Sequence, residues 1–305
     1  MSEVENKILV KRINDLKRAK NAVILVHNYQ RPEIYDVADF IGDSLGLCKQ
    51  AANTNADIIL FCGVHFMAES AAILNPDKKV IVPTIDAGCA MADMIDAEAL
   101  VQFKKKHPDA AVVAYVNSTA DVKAVSDICC TSSNAVDVVN SLPNKKIIFV
   151  PDKNLAAYVA TKVPEKEIIA WQGYCPVHHV VNAEYVKSVR QQNPNAEVIA
   201  HPESKPEVLK LADHIASTTG MINVAKKSNA KEFFVLTECG MTERLNREVP
   251  SKKFTGLCNM CFDMKRNTLE YILRCLENES PVVKVDKKIQ IKALEALNKM
   301  FKVSN

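Results

Sequence analysis

The feature that most constrains this chain is a threefold internal repeat kept in one register. Residues 23–30 (VILVHNYQ), 111–118 (AVVAYVNS) and 197–204 (EVIAHPES) are copies of one pattern, a short β-branched run ending in polar residues. His27, Tyr115 and His201 end these runs, 88 and then 86 residues apart. The same shifts relate residues 38–44 (ADFIGDS), 126–132 (SDICCTS) and 212–218 (ADHIAST), which aligns Ser44, Ser132 and Thr218. They also relate Pro76, Pro164 and Pro250. A cysteine follows each proline, and Cys89, Cys175 and Cys261 are each 86 residues apart. Two extra residues between Pro76 and Cys89 absorb the change from 88 to 86.

Each copy alternates apolar strand-like runs, such as DIILFCG and KKIIFVP, with stretches of helical pattern such as HFMAESAAIL and KNLAAYVATKV. Alternation of this kind implies a parallel sheet covered on both faces. The stretch PEIYDVADF, after the first run, also reads as amphipathic helix. The expected architecture is α/β: three pseudo-threefold-related, three-layer parallel α/β domains around a central active site. Their expected bounds are residues 1–92, 93–178 and 179–261, with two helices in 262–305 packing on the first. AEALVQFKKKHPDA and AEYVKSVRQQNPNA read as linking helices.

In open parallel sheets, ligands bind beyond the carboxyl ends of the strands. His27, Tyr115 and His201 sit at such ends, with Tyr29, Asn117 and Glu203 two positions on. Because side chains alternate along a strand, the sequence predicts three same-side pairs: His27/Tyr29, Tyr115/Asn117 and His201/Glu203. Ser44, Ser132 and Thr218 read as helix N-caps, and helix starts favour anions such as carboxylates or phosphate. A hydroxyl that only caps its helix explains any one of them; three in register with the strand ends favour a binding role. His65, His107 and His214 have no such register and read as structural, while His178 and His179 follow Cys175 closely enough to support it.

Ten cysteines in a chain with no secretory leader pattern point to metal, catalysis or burial in a reducing compartment rather than to disulfides. Cys129 and Cys130 read as core. Pseudo-threefold symmetry would gather Cys89, Cys175 and Cys261 around one axis, where three thiolates suit zinc or an iron–sulfur cubane. Cys258 makes a C-x-x-C with Cys261, but the matching positions are Asp86 and Gln172, so Cys258 stands outside the repeat. With three cysteines, a four-iron cluster keeps one iron open as a Lewis acid for dehydration or condensation. A net charge of +3 with no basic tract gives no case for nucleic acid. No apolar run reaches membrane-spanning length, and a cytoplasmic location is expected.

Several segments together resemble the quinolinate synthase family: VHNYQ (26–30), GDSL (42–45), FMAE (66–69), YVNS (115–118), CTSSNA (130–135), CPVH (175–178), HPE (201–203) and MKRNTLE (264–270). The resemblance covers about residues 20–276. It implies a [4Fe–4S] cluster held by Cys89, Cys175 and Cys261, the last chosen over Cys258 by the Met-Lys that follows. It implies condensation of iminoaspartate with dihydroxyacetone phosphate to quinolinate, the precursor of the NAD pyridine ring. It assigns substrate binding to His27, Ser44, Tyr115, Asn117, Ser132, His201, Glu203 and Thr218, and acid/base roles to Tyr29, His201 and Glu203. An aspartate oxidase or dehydrogenase would supply iminoaspartate. Two other readings use the same residues: a cluster-dependent hydro-lyase acting on a small di- or tricarboxylate, and an iron–sulfur redox sensor without catalysis. The chain departs from many relatives in AGCAMA around Cys89 and in S-T-T-G at 217–220. Thr255 stands where some relatives carry the first of a regulatory cysteine triple.

Overall fold

A computed structural model describes residues 3–303. The first repeat supplies strands β1 (Ala22–His27), β2 (Phe40–Gly42), β3 (Ile58–Cys62) and β4 (Lys79–Ile81). The second supplies β5 (Ala111–Tyr115), β6 (Ile128–Cys130), β7 (Lys146–Val150) and β8 (Glu167–Ala170). The third supplies β9 (Glu197–Ala200), β10 (His214–Ile215), β11 (Glu232–Leu236) and β12 (Lys253–Gly256). Each set forms a parallel four-stranded sheet in the order second, first, third, fourth. Every residue of β3 and of β5 is buried, as expected for parallel strands covered on both faces.

The repeat is carried by polar residues as well as by strands. Asp39, Asp127 and Asp213 are register equivalents, and each carboxylate accepts the backbone N–H of Ile24, Val112 or Val198 at 2.8 Å. Each aspartate N–H returns a bond to the carbonyl of that same residue. A cation from the preceding helix closes each brace at 2.8 Å: Lys17, Lys104 and Arg190. A second triple places the ammonium groups of Lys78, Lys166 and Lys252 on the carbonyls of Thr54, Leu142 and Ser228. Those carbonyls end the helices Ser44–Asn53, Ala135–Ser141 and Thr218–Lys227, where a cation satisfies an orphan acceptor and the negative end of the helix dipole.

The Asp39 brace also explains one departure from expectation. PEIYDVADF is not a full helix; it is a 3-10 segment, Pro32–Val37, followed at Phe40 by strand β2. The paired bonds between Asp39 and Ile24 draw the chain back into the sheet before an α-helix can propagate.

The described residues divide into two compact units. One runs to Cys89 and resumes over Cys261–Gln290; the other spans Ala90–Met260 and takes up the chain again from Ile291. In the first unit, helices Glu3–Ala19 and Leu269–Asn278 cover one face of β1–β4. Ile13, Ile24, Val26, Leu60, Leu269, Ile272 and Leu276 form that core, all fully buried. The second unit holds the sheets β5–β8 and β9–β12. The stretches expected as linking helices are helical there, over Ala97–Lys105 and Ala183–Gln192, capped by Asp96 and Asn182. No described helix is long and apolar enough to cross a membrane.

Candidate active site and metal centre

The strand order places the reversal of each sheet between its first and third strands, where open α/β sheets bind ligands. His27 ends β1, Tyr115 ends β5, and His201 follows β9 directly. Tyr29, Asn117 and Glu203 lie beyond the strands, in turns, so strand alternation does not form the expected pairs. A turn brings two of them together instead. The N–H of Tyr29 donates to His27 Nδ1 at 3.2 Å, and the N–H of Glu203 donates to His201 Nδ1 at 3.3 Å. A ring nitrogen that accepts cannot carry the proton, so both neutral imidazoles hold theirs on Nε2 and present it as a donor. His27 and Tyr29 also meet edge to face, with ring centroids 4.8 Å apart.

In the second unit, Glu203 is the hub of a buried network. Its Oε1 accepts from the Tyr115 hydroxyl at 2.5 Å, and its Oε2 lies 2.8 Å from His178 Nδ1. The far nitrogen of His178 is 2.8 Å from Thr237 Oγ1. The rings of His178 and His201 stack with centroids 4.6 Å apart. Asn154 donates to the Glu203 carbonyl at 3.0 Å and fixes the backbone of the turn.

The charges follow from these contacts. Burial pushes His201 down to about 3, and neighbouring His178 lowers it further against the opposing pull of Glu203, so its ring is neutral at physiological pH. Burial alone would raise the Glu203 carboxyl. The two histidines and the Tyr115 donor outweigh it and hold Glu203 below the ordinary carboxylate range. Burial, then the Glu203 charge, raises Tyr115 well above the usual phenol value, so its hydroxyl stays protonated. Asp152 is pushed up to about 8 by burial and by the Glu203 charge.

The hydroxyl positions correct a second expectation. Asp43, not Ser44, caps helix Ser44–Asn53, accepting from Gly46 N–H at 2.9 Å. Ser217, not Thr218, caps helix Thr218–Lys227, accepting from Gly220 N–H at 3.3 Å. The residue before each takes the extended backbone that a cap requires, and Ser44 and Thr218 become the first helical residues. In the middle copy the helix starts only at Ala135, leaving Ser132 in a turn where it bonds the Tyr115 side chain. None of the three hydroxyls is spent as the cap. Asn117 Oδ1 is buried with no hydrogen-bond partner among the described residues, as an acceptor meant for a ligand would be.

The cysteine loops share one anchoring bond. The N–H groups of His65, Lys153 and Cys239, themselves register equivalents, donate to the carbonyls of Ala87, Gly173 and Asn259 at 2.7, 2.9 and 2.9 Å. Each carbonyl lies two residues before Cys89, Cys175 or Cys261. Gly173 is required there, because a Cβ would sit 2.6 Å from the Pro151 carbonyl oxygen. Asp152 caps helix Lys153–Lys162 and also accepts the Cys175 N–H at 3.2 Å.

Among the ten cysteines, Cys48, Cys62, Cys129, Cys130 and Cys275 are buried in cores, whereas Cys89, Cys175 and Cys261 are half-buried in loops. Burial raises Cys62 and Cys130 far above the ordinary thiol range and Cys275 to about 12, so these remain inert thiols. A ligand atom of Cys175, one of His178 and one of Glu203 lie within 4.8 Å of one another. Both ring nitrogens of His178 already face partners, which leaves the Cys175 thiolate as the donor of that group best suited to iron or zinc. The residues therefore fit an iron–sulfur group.

Sequence reasoning missed Asp152, Asn154 and Thr237. Asp152 carried a usable signal, because Glu238, another buried acid, stands 86 residues on and accepts the Gly240 N–H at 2.7 Å in the matching place. Asn154 and Thr237 carried none.

A family model described as quinolinate synthetase A protein matches residues 11–302. The chain is 55% identical over 297 residues to the quinolinate synthase of Methanosarcina barkeri (strain Fusaro / DSM 804), covering 97% of each chain. It is 52% identical over 294 residues to that of Thermodesulfovibrio yellowstonii (strain ATCC 51303 / DSM 11347 / YP87), covering 96% of this chain and 97% of the relative. It is 51% identical over 293 residues to that of Geobacter sp. (strain M21), covering 95% of this chain and 96% of the relative. With matches of this length and identity behind the repeat fold and the cysteine loops, the chain belongs to the quinolinate synthetase A family.

Proposed function

We propose that this chain acts as a quinolinate synthase, condensing iminoaspartate with dihydroxyacetone phosphate to give quinolinate, phosphate and water in NAD biosynthesis. The observation that carries the reading is the buried Tyr115–Glu203–His178 network beside a neutral His201. An ionised carboxylate within reach of the substrate can accept a proton, although the histidines and Tyr115 that hold its pKa down make it a weak base until substrate rearranges those contacts, and a phenol held protonated beside it is a donor. Glu203 takes protons from substrate carbon or nitrogen, and Tyr115 steadies the carboxylate between transfers. His201 offers its Nε2–H to a substrate oxygen without becoming charged. Tyr29, set edge-on to His27, serves as a second acid/base. His27, Ser44, Asn117, Ser132 and Thr218 bind the substrate carboxylates and phosphate, with hydroxyls not spent as helix caps.

Cys89, Cys175 and Cys261 hold a [4Fe–4S] cluster in this reading. The cluster supplies Lewis acidity at an iron without a protein ligand. The reading keeps three repeat domains, over 1–92, 93–178 and 179–261, and a cytoplasmic setting. An aspartate oxidase or dehydrogenase would deliver iminoaspartate. Full-length identity above 50% to proteins named quinolinate synthase favours this reading over the hydro-lyase and sensor alternatives.

Protein purified without oxygen tests it. We expect about four irons per chain, as a cubane requires, and quinolinate formed from the two substrates. Cys89→Ser, Cys175→Ser and Cys261→Ser each lose the iron, and Cys258→Ser keeps it. Bound zinc in place of iron, or a cluster that survives loss of any of the three, overturns the ligand assignment.

A further inference from the structure

The segment after Cys261 holds on to the turn that carries Tyr29. The Lys265 N–H donates to the Cys261 carbonyl at 3.2 Å, within the 3-10 turn Met264–Arg266. The Lys265 ammonium donates to the carbonyl of Tyr29 and reaches that of Gln30 at 3.5 Å. In return, Arg31 Nε donates to the Lys265 carbonyl at 2.8 Å. Gln30 Nε2 contacts Met264 Sδ at 3.5 Å. Asn267, fully buried, donates to the carbonyl of Gly63 at 2.9 Å, just past the end of β3. Four side chains thus tie residues 264–267 to the strand ends of the first sheet, and all of them belong to one compact unit.

We infer that residues 264–267 form a clasp coupling the state of the Cys261 loop to the position of Tyr29, with Lys265 as its positioning residue. The inference rests on the proposed cluster ligation by Cys261. A loop fixed at Cys261 fixes the turn bonded to its carbonyl, and that turn holds the Tyr29 backbone. A single lysine spans both ends, its N–H on Cys261 and its ammonium on Tyr29. The Tyr29 and Gln30 amides bond His27 within the same turn, so a loosened clasp also frees the His27 ring.

Amide hydrogen exchange of the peptide containing residues 27–31 reads the coupling directly, without turnover. It is measured anaerobically on the full chain, loaded and after chelator stripping, for wild type, Lys265→Met and Lys265→Arg. In wild type, stripping speeds exchange of the 27–31 amides on the order of tenfold, the effect expected when a charged hydrogen bond stops holding a turn. Lys265→Met retains wild-type iron and electron paramagnetic resonance signal, but its 27–31 amides exchange fast in both states. Its kcat falls about tenfold with KM little changed, the pattern of a lost positioning contact. Lys265→Arg, whose guanidinium reaches the same carbonyl, restores most of the protection and the rate. A loaded, quinolinate-forming wild type whose 27–31 exchange ignores stripping overturns the clasp and leaves the functional reading intact, as does a Lys265→Met chain that keeps wild-type sensitivity. A wild type that takes up no iron and forms no quinolinate overturns both.

Discussion

At the scale of single residues, the candidate site pairs its donors and acceptors away from bulk solvent. Glu203 is 3% exposed, and its two oxygens face Tyr115 and His178. Tyr115→Phe removes the donor and leaves Oε1 buried without it, at a cost of about 1.5–3 kcal/mol for a bond to a charged group. Expressed in the transition state, that is about a 10–100-fold fall in kcat/KM at unchanged iron content. Steady-state kinetics beside an iron assay checks both parts. That His27 and His201 stand at matched strand ends with Tyr29 and Glu203 two residues on was legible from register, but the way each pair meets was not. Strand periodicity says which residues share a face, whereas the contact here is made by a turn in which an amide reaches an imidazole. Capping was misassigned by one residue for a related reason. Ser and Asp are both good caps, and in D-S and S-T only backbone conformation tells which residue lies outside the helix.

At the scale of elements, each repeat is stapled by the same polar devices. Asp39, Asp127 and Asp213 lay inside segments already aligned for their hydroxyls, as did Lys78, Lys166 and Lys252 beside the aligned prolines. Their roles stay hidden in the sequence because a carboxylate on a backbone N–H leaves no periodic trace, while apolar strands do. Helix Leu269–Asn278 shows a further electrostatic tie. It ends at Glu279 in the left-handed region, φ 49° and ψ 42°, where the carboxylate accepts from Lys20 at 2.7 Å and from Lys79. Hydrogen bonds from Lys20 and then Lys79 pull Glu279 down to about 2, from an ordinary value of 4.5. A depressed carboxylate stabilises the fold above its unfolded pKa, and that contribution fades as pH falls from 4.5 towards 2. Denaturation midpoints of wild type and Glu279→Gln should therefore differ at pH 6, draw together below pH 4.5 and converge only near pH 2. The pH 6 gap should shrink in 1 M salt, because the pair is open to solvent.

At the scale of the whole molecule, the three sheets with one strand order follow from the register read in the sequence. Three rows of apolar runs at equal spacing leave little freedom in how a parallel sheet is wound. The partition into two compact units was not legible, since equal repeats give no sign of which sheets share a unit. Leu269, Ile272 and Leu276 close the core of the first sheet from just over two hundred residues downstream of β3. Ile272→Ala should cost about 2–5 kcal/mol, the usual loss for a large-to-small change in a packed core. Native-state exchange should show the loss at the amides of β1 and β3 more than at those of β5 and β7.

That late closure has a consequence for how the chain is made. A nascent polypeptide released as far as β12 has every residue of β1–β4 but not the helix that covers Ile24, Val26 and Leu60. Until Leu269–Asn278 leaves the ribosome, that face of the first sheet is covered only by Glu3–Ala19, and the rest of it is apolar surface of the kind that chaperones bind and aggregates grow from. The earliest sequence to be synthesised is thus among the last to be finished as structure. A translational pause taken before that helix has cleared the ribosome would prolong the exposure.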